Sequence, residues 1–193
     1  MDFPVKKKET ILQYFEDNQG LQFVHFEKPS VQEKYLDRLR YHSFFQDSDV
    51  KGLKSIDRGI RQLERIAKYD RIRNSTKQFQ YGTNWFSITG EFASWVLEQS
   101  DWIERTFKNT RCGDELFIQT MLINSPFSGQ VMDCAFNDDY RSCLRFIDWK
   151  RGKPYVFRTE NFDELVSSPY LFARKFDLKI DSEIIDRLYE HLR

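Results

Sequence analysis

Short segments with a two-residue apolar period alternate along the chain with longer segments of helical period. That alternation most restricts the folds open to it. Lys7 to Asn18 carries Ile11, Leu12 and Phe15 on one helical face, with Gly20 as a stop. Leu21 to Phe26 then alternates like a strand. Ser30 with Glu33 has the form of a capping box and predicts a helix toward Arg40. Leu53 to Tyr69 predicts an amphipathic helix with Ile56, Ile60, Leu63 and Ile66 on one stripe. Phe79 to Ile88 reads as a strand, or a strand pair bent at Gly82. Thr89 caps a helix through Trp95 and Leu97, and Asp114 to Ile123 is another helix. Leu144 to Asp148 and Tyr155 to Phe157 are expected as strands joined by the turn Lys150 to Lys153. Asn161 and Asp181 are expected to cap the last two helices. The expectation is an α/β fold, residues 1–193 forming one domain with no internal repeat.

Thirty basic and thirty acidic residues cancel, so no uniform field draws the chain onto nucleic acid. The eighteen Phe, nine Tyr and four Trp are expected mostly in the core, with some free to act as platforms for sugar rings. Cys112, Cys134 and Cys143 form neither a disulfide framework nor a zinc-ligand pattern. His25, His42 and His191 lack ligand spacing. No metal site is therefore expected. Asp47-Ser48-Asp49 has the Asp-x-Asp form that can hold a metal on a diphosphate, but such runs are common in solvated loops. No apolar run reaches the ~20 residues of a membrane span. The expected location is cytoplasmic, with peripheral contact to a membrane left open.

Three segments carry candidate chemistry. In Arg111 to Thr120, Asp114 and Glu115 follow a Gly turn and open a helix, where the helix dipole favours carboxylates. Functionally, Glu115 is a candidate general base that takes a proton from an attacking hydroxyl. In Tyr170 to Asp177, one cation of Arg174 and Lys175 is expected solvated or paired with Asp177. The other is free to neutralise a leaving diphosphate. Arg145 to Lys153 reads as a basic hairpin turn with a half-buried Trp, or as a rim meeting diphosphate or acceptor. A glycosidase would need two separated carboxylates, but adjacent Asp114 and Glu115 point apart on a helix and no second acid stands out.

Four stretches fall in one order: Gly82 to Thr89, Asp114 to Thr120, Arg145 to Trp149, and Leu171 to Asp177. In sequence and spacing they resemble the core-2/I-branching N-acetylglucosaminyltransferases of glycosyltransferase family 14. The resemblance implies an inverting, GT-A-like transferase that uses a UDP-sugar, usually UDP-N-acetylglucosamine, without a divalent metal or other cofactor. It implies Glu115 as catalytic base, Lys175 on the donor diphosphate and Trp149 at the acceptor. Glu27 and Arg38 fall near family acceptor contacts. The family's second diphosphate cation has no counterpart in strict register, and Arg151 is the nearest candidate, beside Lys150, Lys153 and Arg158. The family's N-terminal, nucleotide-binding half leads into a Ser-Gly-x-Asp-x-Pro motif, and this chain opens with Met1-Asp2-Phe3-Pro4 as if cut inside it. The implied partners are a UDP-sugar and a glycan acceptor, and three alternatives stand for that half: the chain is a fragment, its natural reading frame is shortened, or a separate chain supplies the half. The competing expectation is a catalytically dead remnant or sugar-binding module.

Overall fold

A computed structural model describes residues 1–46, 48–50 and 52–193. Asp47, and with it the Asp-x-Asp form, lies outside the described residues. The fold is mixed α/β. A three-stranded sheet has β5 (Phe172–Arg174) at its centre, with β1 (Phe3–Pro4) antiparallel on one side and β4 (Arg145–Ile147) parallel on the other. β2 (Phe23–Val24) and β3 (Phe86–Ser87) form a separate antiparallel pair. The helices are α1 (Lys8–Asp17), α2 (Pro29–Arg40), α3 (Leu53–Ile66), α4 (Gly90–Glu98), α5 (Ser100–Phe107), α6 (Phe117–Ile123), α7 (Phe162–Ser167) and α8 (Glu183–Leu192).

Two apolar clusters hold these layers. Under the three-stranded sheet, Val5, Phe157 and Ala173 meet Leu165 of α7 and Ile184 and Leu188 of α8. On the two-stranded side, Val24 and Phe26 meet Phe92 of α4 and Ile118, Met121 and Leu122 of α6. A smaller cluster of Phe23, Leu144 and Leu171 joins the two regions beneath α1. Phe23, Phe92, Phe157 and Phe176 are fully buried, and burial of each such ring contributes ~1.5–3 kcal/mol. The core reading of the aromatics therefore holds for these Phe residues, whereas Trp149 is 46% exposed.

Several local expectations change in the structure. Pro29 opens α2, and no side-chain cap bond forms there. Glu33 instead contacts Arg40 one helical span further on, so the expected capping box is absent. Tyr155 to Phe157 forms no strand, although Phe157 N–H donates to Lys175 O at 2.9 Å and Lys175 N–H to Tyr155 O at 3.3 Å. Of Phe79 to Ile88 only Phe86–Ser87 is strand. The predicted helix from Asp114 divides into a 3-10 turn over Gly113–Glu115 and then α6. Thr89 caps α4 as expected, its hydroxyl accepting from Phe92 N–H at 3.2 Å.

The largest correction is α3. Its apolar stripe does not face the core: Ile56 is 51% exposed, Leu63 67% and Ile66 69%. Asp57 faces inward instead, accepting from the Ser43 hydroxyl (2.8 Å), Phe44 N–H (2.9 Å) and Phe45 N–H (3.1 Å). Three otherwise unsatisfied donors outweigh the apolar stripe, because buried polar groups left unpaired cost ~1–3 kcal/mol each. Those bonds also hold the buried Asp57 carboxyl below its usual range against the opposing effect of burial.

Candidate active site

The site is built on an irregular strip, residues 78–85, threaded between α2 and α6. Gln32 of α2 holds it from one side: its amide N–H groups donate to Glu27 O (2.7 Å) and Tyr81 O (3.0 Å), and its carbonyl accepts from Tyr81 N–H (2.7 Å). Gln119 of α6 holds the other side, donating to His25 O and Thr83 O. Gly82 lies so close to the β2 backbone that a Cβ there would sit 2.0 Å from His25 O. Its N–H donates to Glu115 O at 3.0 Å. Only a residue without a side chain permits this approach.

The strip brings Tyr81 against the 3-10 turn that carries Glu115. Tyr81 stacks on Tyr35, with centroids 3.7 Å apart and rings 9° from parallel. Arg38 of α2 lies over both rings, at 5.0 and 5.1 Å, and its guanidinium contacts Glu115 Oε2. The Tyr81 hydroxyl donates to the same oxygen at 3.1 Å. Burial, reinforced by the Glu115 charge, pushes the Tyr81 phenol far above its ordinary pKa, so it remains a donor. Burial opposes charge on Arg38, but the bond to Glu115 outweighs it and raises its pKa. Beside this turn, Asn84 donates to Asp114 at 2.9 Å.

Glu27 sits on the opposite flank of Tyr81, its N–H donating to Tyr81 O at 3.0 Å. Burial raises its pKa, and Asp138, within hydrogen-bonding reach, adds to the effect. Asp138 is held in turn by fully buried His25. Thr83 N–H donates to His25 Nδ1 (3.3 Å), which leaves Nε2–H to donate to Asp138 at 2.9 Å. The His25 ring stacks on Tyr140 at 4.4 Å. Glu115, Arg38 and Glu27 therefore lie around Tyr81.

The two donor-side candidates differ. Lys175 is half-buried, and among the described residues no hydrogen bond or ion pair engages its ammonium. Arg174, next to it, lies over Trp85 at 3.9 Å and pairs with Asp2 at 3.2 Å rather than standing free or pairing with Asp177. Trp85 ends the strip that begins at Tyr81, so the strip connects the Glu115 side to the Arg174–Lys175 side. Arg151 is instead fixed between Asp148 and Glu164 and stacked on Tyr155 at 4.6 Å. Among the described residues Lys175 is thus a half-buried cation without a protein partner, as exposed Lys150 and Lys153 also are.

Sequence reasoning misses Tyr81 and Asp138, and it leaves Arg174 as one of two cations whose roles it does not separate. Asp138 contacts His25 across 113 residues of chain, and no local pattern reveals such a pair. Tyr81 lay inside an aromatic run whose strand reading hid its exposure to the turn.

A carboxylate flanked by an arginine and a phenol, with Glu27 and Asp138 on the other flank of that phenol, makes up the candidate site. The core-2/I-branching enzyme family model matches residues 1–165 of the 193. The chain belongs to that glycosyltransferase family. It is 28% identical to mouse xylosyltransferase 2 over 125 residues, covering 58% of this chain and 14% of the relative. It is 22% identical to Caenorhabditis briggsae xylosyltransferase sqv-6 over 202 residues, covering 96% of this chain and 23% of the relative. Rat xylosyltransferase 1 is 26% identical over 125 residues, covering 58% of this chain. The chain thus spans less than a quarter of the length of these relatives. No helix among the described residues is long and apolar enough to cross a membrane.

Proposed function

We propose that this chain is the acceptor- and base-bearing part of an inverting, GT-A-like glycosyltransferase that moves a sugar from a UDP-sugar to a glycan hydroxyl without a metal. The reading rests chiefly on the shared placement of Glu115, Arg38 and Tyr81. Arg38 and Tyr81 occupy Glu115 Oε2 and leave Oε1 to accept a proton from the acceptor hydroxyl as it attacks the anomeric carbon. Such general-base assistance is worth ~10²–10⁴ in rate. In attack from the face opposite the leaving group, the C–O bond to UDP breaks as the new one forms. The UDP carries the negative charge away, and Lys175 would meet it. A fixed ammonium aimed at developing charge supplies stabilisation that does not require a metal. Glu27 and Trp149 would position the acceptor, the indole beneath the apolar face of a sugar ring and the carboxylate on a hydroxyl.

The donor sugar is N-acetylglucosamine by the motif resemblance and xylose by the names of the relatives. The nucleotide-binding half would come from another chain or from further sequence. The test is transfer from UDP-N-acetylglucosamine and UDP-xylose to glycan acceptors, with donor binding followed by calorimetry. Sugar transfer with UDP release supports the reading. Donor binding absent together with retained glycan binding supports instead a sugar-binding module, a reading favoured by the Arg38 contact that already occupies part of the Glu115 carboxylate.

A further inference from the structure

A cavity of about 380 Å³ lies between α3 and the turn that carries Glu115, within the ~300–1,000 Å³ range of small-ligand sites. Lys54, Arg58, Arg61, Arg111, Asp57 and Cys112 line it, giving four cations against one carboxylate. That carboxylate is already occupied by Ser43, Phe44 and Phe45, with Arg61 at 4.0 Å. Among the described residues the Arg58 guanidinium bonds only the Ser55 hydroxyl, at 2.9 Å. Among the described residues no carboxylate pairs with Lys54, Arg58 or Arg111. Arg38, Arg40, Arg65, Arg141, Arg151 and Arg174, by contrast, each have a carboxylate partner.

The cavity is also placed next to the proposed chemistry. Cys112 belongs to its wall and starts the 3-10 turn, its carbonyl accepting from Glu115 N–H at 3.2 Å. Arg111 and Glu115 are therefore separated by one tight turn, one on the cavity and the other at the proposed attack point. We infer that this cavity is an anion subsite taking a carboxylate or sulfate borne by the acceptor glycan, beside the sugar whose hydroxyl faces Glu115. The inference rests on the glycosyl-transfer reading for its choice of a glycan. Single exposed cations attract weakly. Several around one concavity focus the field, and guanidinium forks match the two oxygens of a carboxylate or sulfate.

Calorimetry on the intact chain tests this with a glucuronate-containing disaccharide, its neutral glucose counterpart, sodium sulfate and an oligoglutamate peptide. The uronate disaccharide should bind about tenfold or more tighter than the neutral one, and added salt should weaken it. The Arg58→Gln/Arg111→Gln double variant should remove most of that preference while retaining its circular dichroism. Should the double variant misfold, Lys54→Gln alone should still reduce the preference. Equal affinity for charged and neutral disaccharides overturns the subsite. So does sulfate alone binding as tightly as the disaccharide, which marks a free-anion site, and so does tighter binding of the acidic peptide, which marks a different class of acceptor. No donor or turnover is involved. A chain that discriminates charge yet transfers no sugar retains the subsite and loses the transferase reading. A chain that transfers sugar without discriminating charge does the reverse.

Discussion

Tyr81 donates its hydroxyl to Glu115 Oε2 at 3.1 Å, the same oxygen that the Arg38 guanidinium contacts. One carboxylate oxygen is thereby pinned from two sides and the other is left for chemistry. The two partners also make different predictions. Tyr81→Phe keeps the stack on Tyr35 and removes only the donor. It should cost ~0.5–1.5 kcal/mol of stability and lower kcat more than it raises KM for acceptor. Arg38→Gln removes a half-buried charge beside a half-buried carboxylate and should cost more, ~1–3 kcal/mol, with a larger rise in acceptor KM. Denaturant titration and steady-state kinetics of the two variants check the order.

Gly82 tests the scaffold rather than the chemistry. A methyl there would meet the His25 carbonyl at 2.0 Å and Gln119 Nε2 at 2.7 Å. The first of these is backbone and cannot swing aside. Gly82→Ala should therefore destabilise the chain by at least the ~1–3 kcal/mol typical of overpacking and uncouple Tyr81 from Glu115. A denaturation midpoint equal to that of the parent chain would show that the strip is not held as described.

The alternation of helix and strand signals made the α/β class and most helix positions legible in the sequence, because each helix carries its own local periodicity and stop. α5 went unread: Ser100–Phe107 follows α4 after a single residue, and the two merge as one signal. α3 is the amphipathic helix that its periodicity predicts, with the apolar stripe on the exposed side. Periodicity reports that a stripe exists and says nothing of what waits on the other side, here the unsatisfied donors of Ser43, Phe44 and Phe45. The Glu115 turn was visible as a motif, yet its partners come from Arg38 and Tyr81, 77 and 34 residues away in the chain. Contacts of that range are set by packing, and one sequence does not carry them.

His25 gives the fold a defined pH response. Burial lowers its pKa from the ordinary 6.5, against the opposing pull of Asp138. Its neutral form is therefore the folded form, and the stability this contributes is present above 6.5. That stability is lost as pH falls from 6.5 toward the depressed folded value. A His25→Gln variant lacks this titration. The stability gap between parent and variant should narrow from pH 7 to pH 5, measured by urea unfolding at each pH. A gap that stayed constant would mean that His25 titrates alike folded and unfolded.

Lys175 and Arg151 separate the donor side from structure. Among the described residues nothing engages the Lys175 ammonium, whereas Arg151 holds Asp148 and Glu164 together. Lys175→Met should weaken UDP affinity about tenfold or more with little change in melting temperature. Arg151→Gln should lower the melting temperature and leave UDP affinity within about twofold. Calorimetry with UDP, paired with thermal unfolding, reads both.

The most direct measurement is sugar transfer by Glu115→Gln in the complete enzyme. The amide keeps the shape of the carboxylate and its Tyr81 bond but cannot take the acceptor proton. Transfer should fall by ~10²–10⁴ with glycan binding and circular dichroism retained. Turnover equal to that of the parent enzyme would contradict the account at its centre.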